Sequence, residues 1–198
     1  MRTFDKVALK RALTLATLMV VALSVLVGTA AASPLDLVDQ VVGGGDGEHC
    51  VAEVEGSAAD GELLLSEPRC YDHFALAMSD ASDGKLSLAL NTPGKVMLTD
   101  AQLQAEAIPF TIGIHYDGPN GTGSSIAIKG TGCTGGYWNT GSTWANRIES
   151  SYNGCYRLRH YDYPNKSGAQ ASTTGAGVKR NLPAAMANRT ESVSYHGS

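Results

Sequence analysis

The residue types here that could do chemistry are five histidines, four cysteines and a pair of turn acids, and their spacing argues against catalysis. His49, His73, His115, His160 and His196 contain no His-Glu-x-x-His or comparable metal spacing. No Gly-x-Ser-x-Gly elbow, P-loop or dinucleotide glycine motif occurs. The carboxylates of a glycosidase need a shared cleft, whereas Asp117 and Asp162 fall on equivalent turns and suit capping of the turn backbone. Cys50, Cys70, Cys133 and Cys155 suit disulfides, and of their three possible pairings sequence neighbours are expected, Cys50–Cys70 and Cys133–Cys155. The expectation is a protein that is not an enzyme and requires no cofactor.

The histidines and acids recur because the chain is duplicated. His115-Tyr116-Asp117-Gly118-Pro119-Asn120 returns 45 residues later as His160-Tyr161-Asp162-Tyr163-Pro164-Asn165, and Ala145-Asn146-Arg147-Ile148-Glu149-Ser150 returns after 42 as Ala187-Asn188-Arg189-Thr190-Glu191-Ser192. Two phrases in the same order mark two copies of one supersecondary unit, about 110–152 and 154–196. Units this short should share a core.

Compartment follows from the N-terminus. Arg2, Lys6, Lys10 and Arg11 precede an apolar run from Ala12 to Val27 and then Ala30-Ala31-Ala32, the pattern of a signal peptide over 1–32. The expected product is secreted, with no membrane attachment after cleavage, into a compartment that permits disulfides. Loss of residues 1–32 removes four bases and Asp5, so 15 basic and 19 acidic residues become 11 and 18, net −7. Residues 33–108 hold 14 acids and three bases, while 109–198 hold four acids and eight bases. Such asymmetry suits an acidic segment that docks on or shields a basic one, and equally two solvated surfaces. No basic stripe interleaved with aromatics occurs, so no nucleic-acid partner is expected.

Residues 33–47, ending Gly43-Gly44-Gly45-Asp46-Gly47, read as a flexible linker. Residues 48–108 read as a small acidic α+β region with strands at His49–Val54, Leu63–Leu65 and Lys85–Leu90. Helical spacing over Asp72–Ala81 puts Phe74, Ala77 and Met78 in one stripe, and Thr99 is placed to cap a further turn. From Pro109 onward short alternations such as Thr111–Ile114 and Ser125–Ile128 are strands, with Asn120-Gly121 and Asn153-Gly154 read as positive-φ hairpin turns. Residues 109–198 are therefore expected to be all-β, two sheets face to face in a Greek-key sandwich. Trp144 and Met186, equivalent in the two copies, should point inward.

These residues resemble the βγ-crystallin motif, in which an aromatic opens a folded hairpin and a glycine follows seven residues later. Tyr116 to Gly123 and Tyr161 to Gly168 fit it. The second aromatic of that pattern is replaced by Gly121 and Lys166. Microbial members often bind calcium through two Asn or Asp residues, two variable residues, then Ser or Thr and a Ser. The resemblance implies candidate ligands Asn146, Glu149 and Ser150 in one copy and Asn188, Glu191 and Ser192 in the other, with Ala145 and Ala187 in place of the first ligand and Glu in place of Ser or Thr. Two outcomes stay open: weak Ca2+ binding, Kd roughly 10⁻⁴ to 10⁻³ M, with Glu149 and Glu191 joined by backbone carbonyls of the opposite hairpin, or a structural remnant in which Glu149 pairs with Arg147 or another base.

The leading reading is a secreted binding or structural module. Alternatives implied by the resemblance are an inhibitor of an extracellular metalloprotease and a cell-wall or polysaccharide-binding antimicrobial protein. An inhibitor needs a protruding loop, and Thr131–Asn139 or Thr173–Leu182, the latter with Lys179 and Arg180, are candidates. Tyr137 and Trp138 are candidates for an exposed aromatic platform for sugars or a partner protein. A third reading is a toxin whose basic face the acidic segment masks until cleavage near 94–108.

Overall fold

Strands form where small, β-branched and aromatic residues alternate, and Gly, Asn and Pro end them. A computed structural model of the chain describes residues 47–98, 105–107 and 110–197. The signal peptide, residues 33–46 of the linker and the turn expected at Thr99 lie outside the described residues. The elements are β1 (His49–Ser57), β2 (Leu63–Leu65), β3 (Arg69–Tyr71), α1 (Phe74–Ala81), a 3₁₀ turn (Gly94–Leu98), β4 (Thr111–Tyr116), β5 (Ser125–Lys129), β6 (Thr134–Asn139), α2 (Gly141–Trp144), β7 (Ser150–Asn153), β8 (Arg157–Tyr163), β9 (Ser167–Thr174), β10 (Val178–Asn181) and β11 (Ser192–His196).

Two antiparallel-rich sheets result. The first runs β10-β7-β4-β5-β1-β2 with β3 also on β1, and the second runs β6-β11-β8-β9. Each copy lends one strand to the other's sheet: β6 of the first copy pairs with β11, and β10 of the second pairs with β7. Between the sheets lie Ile112, Ile126, Ile128, Trp138, Trp144, Ile148, Leu158, Met186, Val193 and Tyr195. Trp144 and Met186 thus point inward as expected. Both disulfides form as expected, and the 22-residue separation of Cys133 and Cys155 corresponds to about 3 kcal/mol of loop-closure entropy.

Residues 48–108, read from sequence as a region of their own, contribute β1 to the first sheet, where it runs parallel to β5 from His49↔Ser125 to Glu53↔Lys129. Val51 and Ala52 are both buried, on opposite faces of β1, so this strand needs cover on both sides. Helix α1 supplies one cover. Its Phe74, Ala77, Met78 and Ala81 pack with Leu86 and Met97 over Ile114, Tyr116, Ala127 and Tyr152 on the outer face of the first sheet. Each large side chain so buried contributes about 1.5–3 kcal/mol.

Two local expectations differ. Lys85–Leu90 forms no strand, because Leu86 and Leu88 are spent packing into the cluster under α1 while Leu90 faces solvent. Neither Asn153 nor Gly154 has positive φ. Gly154 is there for close approach, since a Cβ would sit 1.8 Å from the Thr111 carbonyl oxygen. Asn153 ends β7 and donates from Nδ2 to the Thr173 and Gly175 carbonyls.

Candidate functional site

The two folded hairpins are built alike, residue for residue. After Tyr116 and Tyr161, Gly123 and Gly168 take φ of 73° and 79°, and a Cβ on either would collide with the carboxylate of Asp117 or Asp162. Ser150 accepts from Gly121 N at 2.9 Å and donates to Gly118 O at 2.7 Å. Ser192 does the same in the second copy, with Lys166 N at 3.1 Å and Tyr163 O at 2.7 Å. Both serine hydroxyls are buried and spent on these bonds. Asp117 pairs with Arg147 at 2.7 Å and Asp162 with Arg189 at 2.9 Å.

Across the copies the contacts are reciprocal. Asn146 and Asn188, both with positive φ, donate their amides to Glu191 and Glu149 of the opposite copy, at 3.0 and 2.5 Å. Their backbone N–H groups bond Thr190 O and Ile148 O, again across the copies. Each exchanged strand ends in an asparagine that clamps the other copy's hairpin: Asn181 on Asn120, and Asn139 on Asn165, each pair with two hydrogen bonds of 2.6–3.0 Å. Sequence reading overlooked Asn139 and Asn181, although they stand 42 residues apart, the offset of the repeated phrase.

The residues carried over as calcium ligands are therefore brought together, but as a polar lock between copies. Calcium takes six to eight oxygens. Each junction presents one Glu carboxylate and one Asn side chain whose nitrogen faces that carboxylate, with the Ser hydroxyl already used, so the side chains alone fall short of that number. Among the described residues, one trio of metal-ligating types has its ligand atoms within 4.8 Å, namely Glu48, Cys50 and Cys70, and its cysteines are bonded to each other.

The duplicated histidines meet in the interior. His115 Nδ1 lies 2.8 Å and His160 Nε2 2.9 Å from the same Ser151 Oγ, and His115 Nε2 lies 2.9 Å from Tyr195 OH. The rings stand edge to face at 5.5 Å, with the Trp138 ring 5.7 Å from His115. His160 Nδ1 is buried with no hydrogen-bond partner. Burial holds the His160 ring neutral, with its pKa lowered to about 3, and burial followed by the neighbouring His160 lowers that of His115 as well. Both rings are fully buried, and their hydrogen bonds are internal.

The sequence candidates for an exposed platform and a protruding loop are corrected by their burial. Tyr137 and Trp138 are 2 % and 8 % exposed. Trp138 faces the inter-sheet core, while the Tyr137 hydroxyl donates to Asp60 at 2.8 Å, a bond that lifts its pKa to about 12. Lys179 and Arg180 belong to β10, paired with Tyr152 and Ser151, and only Arg180 is exposed. Lys179 is buried over the Tyr116 ring at 5.3 Å, its Nζ without a hydrogen-bond partner, and desolvation lowers its pKa to about 7. Its amine fills the space above Gly121. In the other copy the arrangement is inverted: Lys166, the equivalent of Gly121, reaches over Tyr137, the equivalent of Lys179, at 4.4 Å.

Sequence reading also missed a cleft of about 430 Å³ between β1 and α2. Trp138, Trp144 and Ile126 give it an apolar wall, and Ser124, Thr143 and Arg147 give it polar edges. The Arg147 guanidinium lies 5.0 Å from the Trp144 ring centroid, a cation–π contact at its mouth. No protein-family model, curated protein or solved structure matches the chain.

Proposed function

We propose that the chain is a secreted, non-enzymatic binding module on a βγ-crystallin-like Greek-key sandwich, and that the cleft beside Trp138 and Trp144 takes a neutral saccharide of a cell wall. The observation that carries the fold reading is the reciprocal exchange of β6 and β10, which gives equivalent strand orders β5-β4-β7-β10 and β9-β8-β11-β6 in the two sheets. Duplicated Tyr-to-Gly hairpins with the same Ser and Asp contacts support it further. The two disulfides suit an oxidising, extracellular compartment. For the ligand, a cleft of about 430 Å³ with an apolar wall and a few convergent polar groups has the make-up of a small-molecule site. The cross-copy lock of Asn146, Glu191, Asn188 and Glu149 joins the copies through the side chains that a calcium site would need. Buried Lys179 and the strand character of β10 count against Thr173–Leu182 as an inhibitor's protruding loop.

The test is retention of the mature protein on insoluble peptidoglycan and chitin, compared with Thr143→Trp, in which an exposed residue at the cleft mouth is enlarged. Retention of the wild type and its loss in the variant are expected. Failure to bind either polymer sinks the saccharide reading. A thermal midpoint raised by millimolar calcium and lowered by a chelator would overturn the calcium-free reading.

A further inference from the structure

Duplication gives the molecule two equivalent outer sheet faces, and they have been treated differently. On the first sheet, Ile114, Tyr116 and Tyr152 face outward and lie under α1 and the Gly94–Leu98 turn. On the second sheet the equivalent positions are Arg159, Tyr161 and Ser194, and Arg157 stands two residues before Arg159 on the same face of β8. Arg157 lies beside His196 and Thr174, and Arg159 beside Ser194 and Ser172, so hydroxyl and imidazole groups flank both arginines on the neighbouring strands. Gln170, Ser172 and Thr174 of β9 are exposed along the same side.

The cations on this face have no direct acidic partner. Among the described residues Arg157, Arg159 and Lys166 form no ion pair, and the two arginine side chains make no hydrogen bond. Their Nε atoms are shielded from solvent yet unpartnered, so each guanidinium is held against the sheet with donors to spare. Of the acids nearby, Asp162 pairs with Arg189, while Asp60, hydrogen-bonded to the Tyr137 hydroxyl, and Glu62, bonded to Asn139, keep their charge, and Asp60 attracts Lys166. Alternate residues on one strand stand about 6.6–6.8 Å apart, a spacing that meets successive ester groups of an extended polyanion.

We propose that this outer face of the second sheet binds a linear extracellular glycopolymer bearing phosphate or sulfate esters, with Arg157 and Arg159 taking successive oxyanions and Lys166 a third. Guanidinium presents a planar fork that suits a tetrahedral oxyanion, and the exposed Ser172 and Thr174 hydroxyls add donors. Nucleic acid fits less well. Bases need exposed aromatic faces between the cations, and here Tyr137 and Tyr161 are buried, while exposed Tyr156 and Tyr163 sit only at the two ends of β8.

The test uses the mature chain, with poly(glycerol phosphate) and heparin as probes, single-stranded oligothymidylate as the competitor class, and titrations in 50 and 200 mM NaCl. Three charge contacts give a salt slope of about −2, so affinity for the better polymer should fall roughly 20-fold between the two salts. Arg157→Gln/Arg159→Gln, shown folded by circular dichroism, should bind at least tenfold more weakly, while Arg180→Gln on the other sheet should bind as wild type. Preference for poly(glycerol phosphate) over heparin assigns phosphate esters, and the reverse assigns sulfate esters. Tighter binding of the oligonucleotide than of either polymer overturns the ligand class. Wild-type binding by the double variant, no polymer binding at 50 mM salt, or self-association that the double variant abolishes in place of polymer binding overturns the site.

Discussion

Acid should unfold this protein through its interior histidines. His160 is fully buried, and its pKa lies at about 3 in the folded chain against about 6.5 when exposed. A group whose folded pKa is depressed below its unfolded value takes up its proton first in the unfolded state, so for a histidine stability is intact above pH 6.5 and lost as pH falls toward 3. Each pH unit in that window costs about 1.36 kcal/mol per histidine, which for His160 makes about 2.7 kcal/mol at pH 4.5. His115 is shifted the same way by burial and by His160, and partly buried His196 follows by desolvation and the nearby Arg157, Arg159 and Lys166. Against a total stability of about 5–15 kcal/mol, such a loss is decisive. Asp60 and Asp80, whose pKa values are lowered by hydrogen bonds and by Arg69, act below their unfolded values near 4 and do not confuse the range from pH 7 to 4.5. The assay is urea unfolding of the disulfide-intact chain at half-unit steps of pH. His160→Gln, whose amide reproduces the Nε2 contact to Ser151, should lose less stability than wild type over this range by about 2.7 kcal/mol. A wild-type slope in that variant, or a flat curve for wild type, refutes the reasoning.

Two further outcomes are expected. Lys179→Met, which removes a buried amine without a hydrogen-bond partner, should stabilise the fold at pH 7 by about 1–3 kcal/mol in urea unfolding. Wild type should regain that difference as pH rises from 7 to 10.5, because over that window the unfolded lysine holds its proton while the folded one has given its own up, and rising pH then favours the folded state. Arg189→Gln should lower the thermal midpoint more than Arg147→Gln, because Asp162 is 7 % exposed and Asp117 23 %, so the unpaired carboxylate is the more desolvated in the second copy.

How much of this was legible in the sequence depends on whether a feature is local. Helix α1 and most of the strands could be read because the period of apolar residues is written within a few positions, and both disulfides join sequence neighbours. Long-range partners could not be read. Nothing within Cys50–Val54 says that it will lie parallel to residues 126–129, and the burial of Tyr137, Trp138 and Lys179 is set by what the exchanged strands meet. The candidate site followed the same division: the hairpin residues and the Asn and Glu of each copy were visible as repeats, whereas their pairing across copies was not. Gly121 and Lys166 looked like departures from a motif. Seen with Lys179 and Tyr137, they are two solutions to one packing problem, an amine laid over a tyrosine ring from either side.

That asymmetry bears on how the two halves of the chain divide their work. A duplicated sandwich must treat its two outer faces consistently with what covers them, because an uncovered face rich in Ile and Tyr would invite association. The first sheet keeps Ile114 and Tyr152 because the acidic segment brings α1 and Met97 to cover them. Arg159 and Ser194 replace those residues on the second sheet, where α1 is absent. The segment with most of the acids thus covers the apolar face, and the arginines remain on the open one. Its direct charge contacts with the basic half include Glu53 and Asp83, which converge on Lys129 at 3.5 and 2.6 Å at the far end of β5. A toxin masked by its acidic segment would need those acids over the open cationic face. The cover by α1 lies instead on the apolar face of the first sheet, with Asp60 and Glu62 bonding Tyr137 and Asn139 at the β6 edge of the second, so removal of the segment would expose hydrophobic surface and the cost would appear as aggregation.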